Sequence, residues 1–147
     1  LSPAVISLYG GATGISRRLE ANGQRDEAAM AAFGEAIALQ NDVGIAKIER
    51  RARALAGALM AGLRAIDGVK VWTDPAPERS AAIVSFLPGS LDVRRLSTAL
   101  YEQDRIVCAT RGGADRGGLR FSPHFYNSMA DVDRTVAAIG RYMRSGV

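Results

Sequence analysis

An apolar side chain recurs every three or four residues between positions 48 and 66, and this stripe constrains the fold more than any other feature. Such spacing places these side chains on one face of an α-helix. Four arginines of the same segment lie elsewhere on the helical wheel, which predicts a solvated opposite face. The apolar positions are Ile48, Ala52, Leu55, Leu59, Leu63 and Ile66.

Short apolar segments bounded by turn residues predict a sheet against which this helix can pack. With the other periodic segments, the predicted order is two helices, two strands, a helix, two strands and a helix. This order predicts an α+β fold, with a small antiparallel-rich sheet and helices packed on one face. A break between the first two helices is expected at Asn41–Asp42. The predicted helices span 26–40, 48–66, 92–103 and 130–144, and the predicted strands span 69–72, 80–88, 105–109 and 119–122.

The chain length and charge narrow the class of protein. Its 147 residues suit one domain, 26–147, preceded by a Gly- and Ser-rich, extended lead-in at 1–25. A net charge of +4 raises the possibility of nucleic-acid binding. The arginines, however, alternate with acidic residues and have few aromatic neighbours, which is typical of solvated helix faces. We therefore expect no nucleic-acid partner.

Other sequence features address the cellular compartment. No apolar run is long enough to cross a bilayer, and the first residues lack the basic region of a signal peptide. A single cysteine, Cys108, excludes an internal disulfide and fits a reducing compartment. A cytoplasmic protein with no membrane partner is the expectation.

Arg120 is the first candidate for a binding residue. It lies between Leu119 and Phe121 in a predicted strand, so it faces the side of the sheet opposite to theirs. A guanidinium there needs an acidic partner, open solvent or a bound anion. Pairing or simple exposure is one reading, and binding of a substrate carboxylate by the planar guanidinium is the other.

His124, the only histidine, is the second candidate. Ser122, His124 and Asp131 do not form a credible catalytic triad, because two residues two apart in a strand rarely present that geometry. No Cys/His spacing predicts a metal site. Cys108 lies in a predicted apolar strand, which indicates an inert thiol. Ser128 with Asp131 approximates a capping box for the last helix, and Asn127 is a second candidate cap. We assign no catalytic residue and no metal ligand to this chain.

Three stretches of the sequence carry a family pattern. In residues 117–139, a predicted strand that contains an arginine is followed by the pattern Ser-x-x-x-Tyr-Asn-Ser and then by a helix whose first turn is acidic. Residues 106–113 contain a pattern similar to Ala-x-Arg-x-Gly. Residues 23–73 are similar to a stretch that joins two domains. Together, over about residues 20–145, they resemble the class V aminotransferases, which are pyridoxal-phosphate (PLP) enzymes of fold type I. The resemblance is closest to the branch with isopenicillin-N epimerase-like and selenocysteine lyase or cysteine desulfurase-like proteins.

The resemblance implies that the chain is the small C-terminal domain of a two-domain enzyme acting on an amino acid. Arg120 falls on the family's arginine for the substrate α-carboxylate, and His124, close behind it, is taken as a second substrate contact. Gln24 stands where the family has a threonine that contacts the cofactor phosphate of the neighbouring subunit, and its amide can still donate a hydrogen bond. The implied partners are the large PLP domain, absent from this sequence, and a second subunit in a homodimer.

The sequence departs from the family in two ways. The family's Schiff-base lysine is absent, since Lys47 and Lys70 lie in other contexts, so the chain alone is expected to be inactive and to hold no covalent PLP. The loop at 112–118 also lacks the nucleophilic cysteine of the desulfurases, which leaves transaminase, epimerase or lyase chemistry for the parent. The alternative from another class is a stand-alone α+β module that binds a small anion or nucleic acid.

Overall fold

The computed structural model describes residues 26–113 and 115–147, which form four helices and four strands. Two units divide between Asp42 and Val43. The elements are α1 (Glu27–Val43), α2 (Ile45–Arg64), β1 (Val69–Val71), β2 (Val84–Pro88), α3 (Val93–Asp104), β3 (Ala109–Arg111), β4 (Gly118–Phe121) and α4 (Met129–Ser145).

The four strands form one sheet in the order β1-β2-β4-β3, and every neighbouring pair is antiparallel. The predicted α+β class and the predicted order of elements are therefore confirmed. The register pairs Phe86 with Leu119 and Ser85 with Arg120 across the two central strands. These two rows point to opposite faces of the sheet, because side chains alternate along a strand.

The core lies between one face of this sheet and helices α2, α3 and α4. The helical stripe read from the sequence supplies Leu55, Leu59 and Leu63, all of them buried. From the sheet, Phe86 is fully buried, and its ring stacks on that of Phe121 with centroids 5.7 Å apart. Burial of large apolar side chains is the main force that holds such a domain together.

Helix α1 lies in the first unit except for its last residue, Val43. Asp26 caps it, since its carboxylate accepts a hydrogen bond from the backbone N–H of Ala29 at 2.9 Å. None of its residues is buried, and Met30, Phe33 and Ile37 are exposed. The break expected at Asn41–Asp42 lies instead at Gly44, whose φ of 94° is a conformation that glycine adopts without steric cost.

β1 and β4 lie within one residue of their predicted bounds, whereas β2 and β3 each begin four residues later than predicted. β2 begins at Val84 instead of 80, because side chains satisfy the backbone before it: Arg53 donates to the carbonyl of Ser80, and the hydroxyl of Thr73 donates to that of Ile83. β3 begins at Ala109 instead of 105. Arg105 adopts a left-handed conformation that ends α3, and the N–H of the next residue still bonds back to the helix, so the chain joins the sheet later.

Asp104 joins the last turn of α3 to α4. One nitrogen of Arg141 donates to both carboxylate oxygens of Asp104, at 2.7 and 2.8 Å, and the hydroxyl of Tyr142 donates to it at 2.8 Å. Burial by itself would raise the pKa of Asp104, but these hydrogen bonds outweigh it and hold the pKa below its ordinary value. The ionised form is therefore the one that stabilises the fold.

Asp104→Asn is expected to lower the free energy of unfolding at pH 7 by roughly 2 kcal/mol, since it removes hydrogen bonds to a charged group. The pKa of Asp104 is depressed by folding, so its contribution is present above the ordinary pKa and is lost as the pH falls through the folded-state value. Urea unfolding at pH 7 and pH 3 measures this. The difference in the free energy of unfolding between wild type and variant should be smaller at pH 3. Asp133→Asn, an exposed change on α4, is the control. An equal gap at both pH values contradicts the assignment.

None of the helices in the described part of the chain has the length and apolar character that a membrane crossing requires.

Candidate functional site

The face of the sheet opposite the core carries a group of cationic side chains. Arg120 pairs with Ser85 on one side and with Ala109 on the other, and paired residues of antiparallel strands share a face. Alternation then places Arg111 on the same face, two residues after Ala109. Lys70, which pairs with Leu87, is also on this face. We call Lys70, Trp72, Ser85, Arg111 and Arg120 the open sheet face.

Trp72, directly after β1, reaches across β2 to the start of β4. Its indole N–H donates to the carbonyl of Gly117 at 2.9 Å, directly before β4. Because β2 lies between β1 and β4, the indole covers β2, and Ser85 beneath it is only 4% exposed. The ammonium of Lys70 lies 4.4 Å from the centre of the indole ring, a cation–π contact. The indole is thus held at both ends, by Gly117 and by Lys70, on the face that also carries Arg111 and Arg120.

Arg120 itself is exposed on a well-fixed backbone. β4 is paired on both sides, and the neighbours of Arg120 in sequence, Leu119 and Phe121, are buried in the core. Among residues 26–113 and 115–147, no carboxylate lies within salt-bridge distance of Arg120. Of the two readings of Arg120, an internal ion pair is therefore wrong for the described part, while exposure and anion binding both fit.

A tight turn after β4 fixes the position of His124. The side-chain carbonyl of Asn127 accepts from the N–H of His124 at 2.8 Å, and the N–H of Asn127 donates back to the carbonyl of His124 at 2.9 Å. Arg51 of α2 donates to the carbonyl of Asn127 at 2.9 Å. The imidazole of His124 is exposed and packs on Phe125 and Tyr126, with centroids 4.5 and 4.6 Å away. The turn is thus held to the body of the domain.

The last helix starts with the capping box that the sequence predicts. The hydroxyl of Ser128 accepts from the N–H of Asp131, and the carboxylate of Asp131 accepts from the N–H of Ser128 at 2.9 Å. The hydrogen bonds from the backbone and hydroxyl of Ser128 lower the pKa of Asp131. The expectation that Asn127 caps this helix is wrong, because its side chain bonds to His124 instead.

The predicted site residues do not form one cluster. Arg120 lies on the open sheet face and His124 lies in the turn, and no hydrogen bond joins the two within the part that the structure describes. Gln24 lies outside the described residues. Sequence reasoning missed Lys70, Trp72 and Arg111 as neighbours of Arg120. Strand alternation is the signal that could have found the two cations, whereas the reach of Trp72 depends on the sheet order.

Cys108 is a half-buried thiol just before β3. It lies 3.4 Å from the hydroxyl of Ser97, and burial raises its pKa. A raised pKa keeps the group as a thiol, which is a poor nucleophile. The described residues also contain no group of three His, Cys, Asp or Glu side chains arranged for a metal ion. The guanidinium and ammonium groups of the open sheet face are groups that suit anions.

The described residues do not fit covalently bound PLP. Imine formation needs a free lysine amine, but the amine of Lys70 already packs against the ring of Trp72, 4.4 Å from its centre. Lys47 is exposed on α2. We therefore derive no reaction step through the cofactor on these residues.

Comparisons with known proteins agree with the motifs. The family model for aminotransferase class-V matches residues 6–135. Isopenicillin N epimerase of Streptomyces clavuligerus is 32% identical over 138 residues, which is 93% of this chain and 34% of that protein. The protein of the same name from Amycolatopsis lactamdurans is 32% identical over 130 residues, or 88% of this chain and 33% of its own length. The chain thus spans about a third of each relative, and it belongs to the class-V aminotransferase family.

Proposed function

We propose that this chain is the small C-terminal domain of a PLP-dependent enzyme and that Arg120 binds the α-carboxylate of its amino-acid substrate. The observation that carries the proposal is the exposed guanidinium of Arg120, presented from a strand that is paired on both sides. A planar guanidinium matches the two oxygens of a carboxylate. A fixed strand limits the entropy lost when the substrate is oriented.

In this proposal Arg120 binds and orients, and residues of the large domain carry out bond breaking with PLP, which supplies an electron sink when bound. Trp72 adds apolar surface to the same face of the sheet as Arg120. His124 remains a candidate second contact from the turn. Gln24 remains a candidate for the cofactor phosphate of a neighbouring subunit in a homodimer.

The reaction is of the transaminase, epimerase or lyase type in this proposal. Two relatives named for an epimerase support that range. Cys108 does not support persulfide chemistry, since it is half-buried and its pKa is raised. Without a large domain the chain should be inactive, and the parent enzyme should work in the cytoplasm.

Arg120→Ala in the full-length enzyme is expected to raise KM or lower kcat/KM for the amino-acid substrate roughly 100-fold, the usual effect of removing one partner of a charged hydrogen-bonded pair. The PLP absorbance spectrum should not change, because Arg120 is not assigned to the cofactor. Steady-state kinetics with matched spectra measure both. Arg120→Lys should recover part of the loss, because lysine keeps the positive charge but lacks the planar guanidinium that binds both carboxylate oxygens. Arg94→Ala, an exposed arginine on α3, is the control. Unchanged kinetics in Arg120→Ala would remove the assignment.

The second candidate, a binding module for nucleic acid, has one supporting observation: three cations, Lys70, Arg111 and Arg120, share the open sheet face with Trp72. Sheet-based RNA readers stack bases on exposed aromatic faces. In this chain Lys70 covers one face of Trp72, and the indole N–H is already bonded to Gly117. A gel shift with generic RNA and DNA at two salt concentrations tests this candidate, and salt-sensitive binding would favour it.

A further inference from the structure

A cavity of about 520 Å³ opens at the edge of the sheet, beside the point where β3 begins. β3 pairs with β4 from Ala109 to Arg111, so among the described residues no strand lies beside the outer side of β4 beyond Arg120. The segment 106–108 turns away because Arg105 ends α3 in a left-handed conformation. The cavity fills the gap left between that segment, β4 and the start of α4. We call it the edge cavity.

The floor of the edge cavity is apolar. Leu59, Ile106, Phe121 and Val132 line it, and each is at most 6% exposed. These side chains belong to the well-packed core, so the floor is rigid. A floor of this kind favours a ligand with a hydrocarbon part, because burial of apolar surface drives binding.

The rim of the edge cavity is positively charged. Arg105, Arg134 and Asp131 line it, and Arg120 also lines it from β4, with its side chain directed to the open sheet face. Asp131 is already engaged by the capping box and lies 3.5 Å from Arg134. The charges leave a net positive rim, so an anionic head group is favoured over a cationic or neutral one.

Arg105 is a second, independent indication that this rim is a site. With φ 56° and ψ 37°, it is the one non-glycine residue with positive φ among residues 26–113 and 115–147. Where a helix ends in a left-handed residue, that residue is usually glycine, because a side chain there costs conformational energy. A strained residue that lines a cavity commonly has a functional reason. Its guanidinium is the feature that glycine could not supply.

We propose that the edge cavity binds small amphipathic carboxylates, with the hydrocarbon chain against the apolar floor and the carboxylate on Arg105. The proposal goes beyond the function of Arg120 given above, since it needs neither PLP nor a large domain. The chemical class is a monocarboxylate with a short aliphatic or aromatic body, which a volume of about 520 Å³ admits with room to spare.

The test is a titration of the chain with octanoate, followed by amide chemical shifts. Saturable shifts should centre on the residues that line the cavity, and octan-1-ol and octyltrimethylammonium should bind about tenfold more weakly, as expected for loss of a charge-assisted bond. Arg105→Gly should weaken octanoate binding by a similar factor while raising the midpoint of thermal unfolding, because glycine relieves the backbone cost. A purely structural Arg105 could not give both changes.

Two further variants keep the outcome unambiguous. Arg105→Asn, which tolerates a left-handed backbone without a cation, should also weaken binding. Arg94→Ala, an exposed arginine elsewhere on α3, should not change it. Absence of saturable octanoate binding overturns the proposal, and so does equal binding of the cationic probe. Loss of binding in Arg120→Ala but not in Arg105→Gly also overturns it, and would assign the carboxylate to the open sheet face instead.

Discussion

Gly118→Ala is expected to be the most destabilising alanine substitution at a glycine of the second unit. At Gly118, φ is 137°, and an added Cβ would overlap the carbonyl oxygen of Phe86 and lie 3.1 Å from the Cα of Leu87. Both obstacles are backbone of the neighbouring strand, which cannot move without opening the β2–β4 pair. Backbone strain and overpacking together cost roughly 4 kcal/mol. The free energy of unfolding of a typical domain is only about 5–15 kcal/mol. We therefore expect the variant to be largely unfolded or strongly destabilised.

Urea unfolding followed by circular dichroism measures this effect, and Gly57→Ala is the matched control. Gly57 is an exposed position inside α2, and an added Cβ there meets no atom within 4 Å. Alanine is the better helix former, so this variant should gain about 0.5–1 kcal/mol. The same substitution is thus expected to act in opposite directions at the two sites. A Gly118→Ala protein with the wild-type midpoint contradicts the described contact between β2 and β4.

Phe86→Ala is the second large effect, with an expected loss of about 3–5 kcal/mol. Phe86 is fully buried and is the largest of the fully buried side chains, and its ring stacks on Phe121 at an interplanar angle of 11°. Removal of the ring loses the free energy gained by transferring it out of water. The atoms around the resulting cavity also lose their van der Waals contacts with the ring. The double variant with Phe121→Ala should cost less than the sum of the two single changes, because one stacking contact is shared.

The control for Phe86→Ala is Ile83→Ala, one residue before β2. Ile83 is 50% exposed, so its truncation should change the free energy of unfolding by no more than about 0.5 kcal/mol. Both variants are measured by urea unfolding at pH 7. Comparable losses at the two positions would mean that the core does not lie on the face of the sheet described above.

The helices were predictable because their signal is local. The apolar stripe from Ile48 to Ile66 predicts the long helix, observed at Ile45–Arg64, and Ser128 with Asp131 predicts the start of the last one. Alternation around Leu119 correctly places Arg120 on the face opposite the core. Whether that guanidinium binds a carboxylate stays a prediction.

The features that the sequence could not predict depend on distant or unusual backbone. A left-handed conformation at a non-glycine residue, Arg105, has no local signature, and it moved β3 four residues along the chain. The bond from Trp72 to Gly117 exists only because β1 and β4 flank β2, an order set by the whole sheet. The edge cavity follows from the first of these features, so it was also missed.

The sheet order divides the second unit into two similar halves, each a helix followed by two neighbouring strands: α2-β1-β2 and α3-β3-β4. Within each half the strand contacts are local in sequence, whereas Phe86 and Leu119, at the junction, are far apart along the chain. Because closing a long loop is entropically costly, we expect contacts inside a half to form early during folding and the junction to form late. Arg120 pairs with Ala109 inside one half and with Ser85 across the junction, so its strand gains its second neighbour only when the halves join.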